Sequence, residues 1–166
     1  LKAAIARATK EKEDSDFVQI AWYCLEINDL ETLNQAMNLA IKYDRSDLDN
    51  HMEWAAMLFQ TGDIDGGLSK MEAVLQKHPN HERLLTKACQ ILAGTFSTWY
   101  DFLPADRPLQ ANKIPEYSEP QKTRALALLE GLVASKPKKT TAARLALALL
   151  QLGQADKAQI HLAAAE

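Results

Sequence analysis

Residues 48–81 read LDNHMEWAAMLFQTGDIDGGLSKMEAVLQKHPNH, two apolar helical runs joined by a tight turn. An apolar run at helical spacing leads to Thr61-Gly62-Asp63, a second run follows, and Pro79 closes the unit. Glycine then aspartate between two such runs reads as a helix stop and a helix start. Glycine adopts the left-handed conformation that ends one helix, and aspartate caps the next. The preceding 34 residues, 14–47, read DSDFVQIAWYCLEINDLETLNQAMNLAIKYDRSD and repeat the plan. Asn28-Asp29 falls under Gly62-Asp63, Leu30 under Ile64, Met37 under Met71 and Ile41 under Leu75. The two units abut without a gap, and self-similarity at this period marks a stacked repeat.

A third unit is expected over 82–138. Its first helix is expected from Glu82 to about Trp99, carrying Leu85, Ala88, Cys89 and Leu92. Its second helix is displaced to QKTRALALLEGLVAS, residues 121–135, followed by Pro137 as Pro79 follows the second unit. A fourth unit, 139–166, places Leu145, Ala146, Leu149 and Leu150 before Gly153, then Ala158, Leu162 and Ala165. Residues 1–13 form a packing helix with Ala4, Ile5 and Ala8 as its apolar stripe. Within unit three an insertion of about residues 100–119 precedes the second helix, and Pro104, Pro108, Pro115 and Pro120 are expected to forbid a continuous helix there. Trp99, Tyr100, Phe102 and Tyr117 make this region rich in aromatics. Long loops inside compact domains often carry function. These four are therefore candidate partner-binding residues, unless they only cover the seam between units.

The pattern resembles the tetratricopeptide-repeat (TPR) family over nearly the whole chain beyond residue 13. The small packing residues of the first helices match at Ala21, Ala55, Cys89 and Ala146, and the turn residue at Asn28, Gly62 and Gly153. Those of the second helices match at Gly67, Ala125 and Ala158, while Leu33 departs and should widen its helix pair. The resemblance implies an all-α solenoid of about four helix-turn-helix units, with a concave groove lined by the first helices. It places Val18, Trp22, Met52, Phe59, Arg83, Lys87, Gln90 and Arg144 in that groove as partner-binding residues. Trp22, Met52 and Phe59 would supply apolar anchors, and Arg83 and Lys87, four apart, would face one acidic ligand. A TPR subclass that clamps chaperone C-termini matches only at Arg83 and Lys87; Val18, Trp22 and Glu53 depart from it. The layout also resembles TPR subunits of periplasmic c-type cytochrome maturation, which interrupt a late repeat between its helices.

Composition narrows the function. Of 166 residues, 19 are Lys or Arg and 22 are Asp or Glu, a net charge of −3 that argues against a nucleic-acid partner. No apolar run is long enough for membrane insertion. The two cysteines read as buried core groups, not a disulfide. His78 and His81 flank Pro79 without a ligand pattern, and Gly66-Gly67 is no phosphate loop, so no metal, cofactor or enzymatic role is expected. The expectation is a protein-binding scaffold or adaptor, with structural self-association as the alternative. The chain opens at Leu1 and stops at Glu166 within a helical pattern, which reads as a fragment of a soluble domain; whether it is cytoplasmic or periplasmic is left open by the sequence.

Overall fold

The computed structural model describes residues 2–11, 14–44, 48–96, 115–134 and 137–165. Among these residues every regular element is a helix. The order is α1 (Lys2–Glu11), α2 (Asp14–Glu26), α3 (Leu30–Tyr43), α4 (Asp49–Thr61), α5 (Ile64–Leu75), α6 (Glu82–Leu92), α7 (Glu119–Ala134), α8 (Lys139–Gln151) and α9 (Ala155–Ala163). No helix among them is long and apolar enough to cross a membrane.

Turn chemistry sets the hairpins. Asn28, Gly62 and Gly153 have φ of 58°, 88° and 77°, the left-handed region that stops a helix and reverses the chain. The Asp29 side chain accepts from Thr32 N at 3.1 Å, and Asp63 accepts from Gly66 N at 2.9 Å, so α3 and α5 start on matching aspartate caps. Gln121 Oε1 accepts from Ser118 N at 3.0 Å, a side chain reaching back to the residue before α7. The first helix of unit three is shorter than its sequence pattern implies. Gly94, at φ 67°, ends it after Leu92 rather than near Trp99.

The hairpins α2/α3, α4/α5 and α8/α9 make the most extensive helix contacts. Leu33 does not loosen the first of them: its side chain is fully buried in the core of that pair, and α2 and α3 make the most extensive contact of all. Helices α2, α4, α6 and α8 neighbour one another in succession and form one layer. Helix α7 packs more on α5 than on α6, and α6 packs chiefly on α8. Ala8 is buried, and Ala4 and Ile5 pack on the core of the first unit, so α1 covers that end.

Two apolar cores result. Phe17, Leu33, Met37 and Met57 anchor the first; Met52, Leu68, Met71, Leu84, Leu129 and Leu145 anchor the second. Trp22 touches both and joins them. Between α4 and α5 the close approach depends on Gly67: a Cβ there would lie 2.3 Å from the Phe59 ring.

The seam between α5 and α7 is polar. Arg124 donates from Nε and Nη2 to the two Glu72 carboxylate oxygens, each at 2.8 Å. It also donates to Asp65 Oδ1 at 2.7 Å and to Ser69 Oγ at 3.0 Å. Gln121 Nε2 adds a bond to Asp65 Oδ2 at 2.9 Å. The hydrogen bonds to Glu72 hold the Arg124 guanidinium still more firmly in its charged form.

Candidate functional site

The polar half of the expected groove comes together as an open cleft between α6 and α8. It has a volume of about 480 Å³ and is lined by Glu82, Arg83, Thr86, Lys87, Gln90, Lys138, Thr140, Thr141 and Arg144. On α6, Arg83, Lys87 and Gln90 are four and three residues apart and share a face. On α8, Thr140, Arg144, Leu147 and Gln151 follow the same spacing. Across the floor, Thr86 Oγ1 and Thr141 Oγ1 are 3.4 Å apart, and Thr141 donates to Glu82 Oε1 at 3.4 Å.

The cleft's charges are partly committed. Arg83 pairs with Asp49 while its side chain stays 70% exposed. Lys87 Nζ lies 3.2 Å from Asp49 and 3.8 Å from Glu53. Lys138 Nζ lies 3.6 Å from Glu82. Arg83 and Lys87 therefore face the acids of α4 as well as the cleft, rather than an incoming ligand alone. Arg144 is exposed on the opposite wall. Together with the two α4 carboxylates behind it, the site sets four cations against three carboxylates, with donors from Thr and Gln between them.

The apolar half of the expected groove is placed differently. Val18, Met52 and Phe59 are buried side chains of the two cores, not open anchors. Neighbouring helices cover them, and Phe59 fits the space left by Gly67. Trp22 is half-buried, and its indole Nε1–H is enclosed without a hydrogen-bond acceptor among the described residues. The apolar groups open to solvent on α8 are Leu147 and Leu150 instead, each 46% exposed. Sequence reasoning did not single out Lys138 or Thr141 as cleft residues, and named Pro115 only as a helix breaker; Lys138 precedes α8, and Thr141 meets Thr86 across the cleft, a contact between helices that spacing along one helix does not reveal.

The distal end of the insertion reaches this same valley. Pro115 is buried and shares a recess with Ala56, Phe59, Gln60, Ile91, Gly94 and Phe96. Gln151 Nε2 donates to Pro115 O at 2.9 Å, and Tyr117 donates its O–H to Leu92 O at 2.8 Å. The Tyr117 and Phe59 rings are tilted, with centroids 6.2 Å apart. Burial pushes the Tyr117 phenol pKa up, so the hydroxyl stays protonated and donating. Trp99, Tyr100 and Phe102 lie outside the described residues.

Further titratable groups have defined surroundings. Cys24 and Cys89 are buried free thiols, and burial pushes Cys89 up to about 12, far from a reactive thiolate. His81 accepts from Leu84 N at 3.4 Å as the cap of α6. Among the described residues no group of three or more His, Cys, Asp or Glu side chains is placed to hold a metal. Trp54 donates to Asn34 Oδ1 at 3.0 Å, and Lys70 Nζ sits 3.4 Å above its ring.

His51 carries a pH prediction. Burial, then the nearby Lys70 and Lys77, lower its pKa below 6.5. The folded state thus binds fewer protons here than the unfolded state. Its stability contribution is present above pH 6.5 and is lost as pH falls through that value towards the lowered one. The melting temperature of wild type is expected to drop on going from pH 7.5 to about pH 5.5, and His51→Gln should shrink that drop; an unchanged drop would remove His51 as its cause.

Comparison with known proteins gives no match: no family model, no curated protein and no solved structure matches this chain.

Proposed function

We propose that this chain is a TPR-like helical-repeat module that binds an extended, acidic segment of another protein in the cleft between α6 and α8. The observation that carries the reading is the cleft itself, open and lined wholly by polar and charged side chains. Burying a cation-rich wall against an apolar partner would be costly, whereas carboxylates on the partner find Arg83, Arg144 and Lys138 already exposed. Leu147, on the same stripe as Arg144, offers one apolar contact beside them. Repeated hairpins with matched caps at Asp29 and Asp63 support the TPR-like reading. The apolar anchoring first expected of Trp22, Met52 and Phe59 moves to Leu147 and Leu150.

Selection of random peptides on immobilised protein tests this. Wild type should enrich peptides rich in Asp and Glu, with affinity falling as salt rises. Arg83→Glu/Arg144→Glu should lose the selected peptides by tenfold or more while keeping wild-type helical circular dichroism, about 1.4 kcal/mol of binding. Enrichment without acidic bias, or equal affinity for both proteins, would sink the proposal.

A second reading is self-association through the last hairpin, favoured by Ile160 and Leu162 on α9, which are 69% and 42% exposed. Sedimentation equilibrium separates the two, since self-association requires a mass that rises with concentration.

A further inference from the structure

Segment Pro115–Ser118 is non-helical and lies at the C-terminal end of the valley whose other end is the polar cleft. The continuity is set by the helices on either side. Arg83, Lys87 and Gln90 on α6 lead on to Gly94, and Thr140 and Arg144 on α8 lead on to Gln151. The first residues of each series line the cleft, and the last meet the insertion.

The segment is held as a bound peptide would be. Its contacts are one backbone carbonyl taken by a side-chain amide, one buried proline and one aromatic hydroxyl given to a helix-end carbonyl. Gln151 supplies the first, the recess of Ala56, Phe59, Ile91 and Phe96 the second, and Leu92 O the third. Leu92 is the last residue of α6, so its carbonyl lacks an intrahelical partner, and Tyr117 answers it. Proline fixes its own backbone and has no N–H to leave unpaired, so it enters an apolar recess at low cost. The fit is incomplete: a void of about 20 Å³ remains beside Pro115, room for about one small group.

We propose that Pro115–Ser118 is an intrachain ligand of the valley's apolar end, and that the partner segment of the proposed function carries an equivalent proline-x-tyrosine element that displaces it. This rests on the binding reading above and extends it: the acidic part of the partner occupies the polar cleft, and its proline and aromatic follow into the recess. The chain's own segment then competes with the partner, at the high effective concentration of a tethered ligand.

The test uses a fluorescently labelled peptide of the chain's own sequence, KIPEYSEP (residues 113–120), and the whole chain. Anisotropy titrations compare wild type with the Pro115→Ala/Tyr117→Ala variant. Loss of the tethered competitor should tighten peptide binding by about tenfold or more. A scrambled peptide should bind neither protein. Should the double variant lose its helical circular dichroism, Tyr117→Phe serves in its place. It removes only the hydroxyl bond to Leu92 O and should tighten binding several-fold, as loss of one hydrogen bond implies. A folded variant that binds KIPEYSEP no better than wild type, or no better than the scrambled peptide, overturns the proposal. The acidic peptides selected on the polar cleft are titrated in parallel. Their binding persisting while KIPEYSEP fails would overturn the displacement proposal alone, and failure of both would overturn the binding reading beneath it.

Discussion

Phe59→Ala is expected to lower the stability of the chain by about 3–5 kcal/mol, the largest effect of any single substitution considered. The side chain is 5% exposed and belongs to the second core. Three things meet at its ring. Gly67 gives up its Cβ volume to it, Tyr117 packs at 6.2 Å, and the Pro115 recess uses it as a wall. Alanine would leave a cavity beside Gly67 that no small backbone shift fills, because the opposing position has no side chain to extend. Urea denaturation followed by circular dichroism measures this. A change under about 1 kcal/mol would mean that Phe59 is not a core residue. Because Phe59 supports the fold, loss of partner binding by Phe59→Ala would not by itself locate a binding surface.

Arg124→Ala should cost about 2 kcal/mol, less than a fully buried ion pair because the Arg124 side chain is 32% exposed. The reason is geometric. The two bonds to Glu72 are parallel and both 2.8 Å, a fork that only a guanidinium presents. Arg124→Lys keeps the charge and loses the fork, and is expected to recover less than half of the loss. A double-mutant cycle with Glu72→Gln should return a coupling of about 1–2 kcal/mol, and additivity would show that the pair does not act together. Since α7 packs more on α5 than on α6, amide exchange in α7 should speed up before exchange in α6.

These two residues mark the limits of the sequence. Helix content and turn positions were legible because their causes are local. A residue able to take positive φ and an aspartate cap lie within a few residues of the turns at Asn28-Asp29 and Gly62-Asp63, and both turns have that geometry. The end of α6 was not legible: apolar spacing continues past Leu92, and only the conformation of Gly94 stops the helix. The side chains of the candidate site divided by chemistry. Arg83, Lys87, Gln90 and Arg144 line the open cleft, since burying their polar groups would be penalised. Val18, Met52 and Phe59 went to the cores, because an apolar residue on a first helix can be covered by the next helix or by the insertion. Helical periodicity gives the face a residue lies on, not what covers that face. Arg124's partners lie 52 to 59 residues away in sequence, beyond any local pattern. Pro104 and Pro108 lie outside the described residues, Pro115 is non-helical, and Pro120, expected to forbid a helix, sits instead in the first turn of α7, where a missing N–H costs nothing; the docking of Pro115 and Tyr117 depends on Gln151 and Leu92, which belong to two other helices.

If the valley between α6 and α8 is a binding surface, amide chemical-shift mapping with an acidic peptide selected on the wild-type protein will trace it along those two helices. Perturbations are expected to concentrate at Thr86, Lys87, Gln90, Thr140 and Arg144 and to continue to Gly94, Tyr117 and Gln151. Shifts confined to the α3, α5 and α7 helices, with the α6 and α8 cleft unchanged, would contradict that expectation.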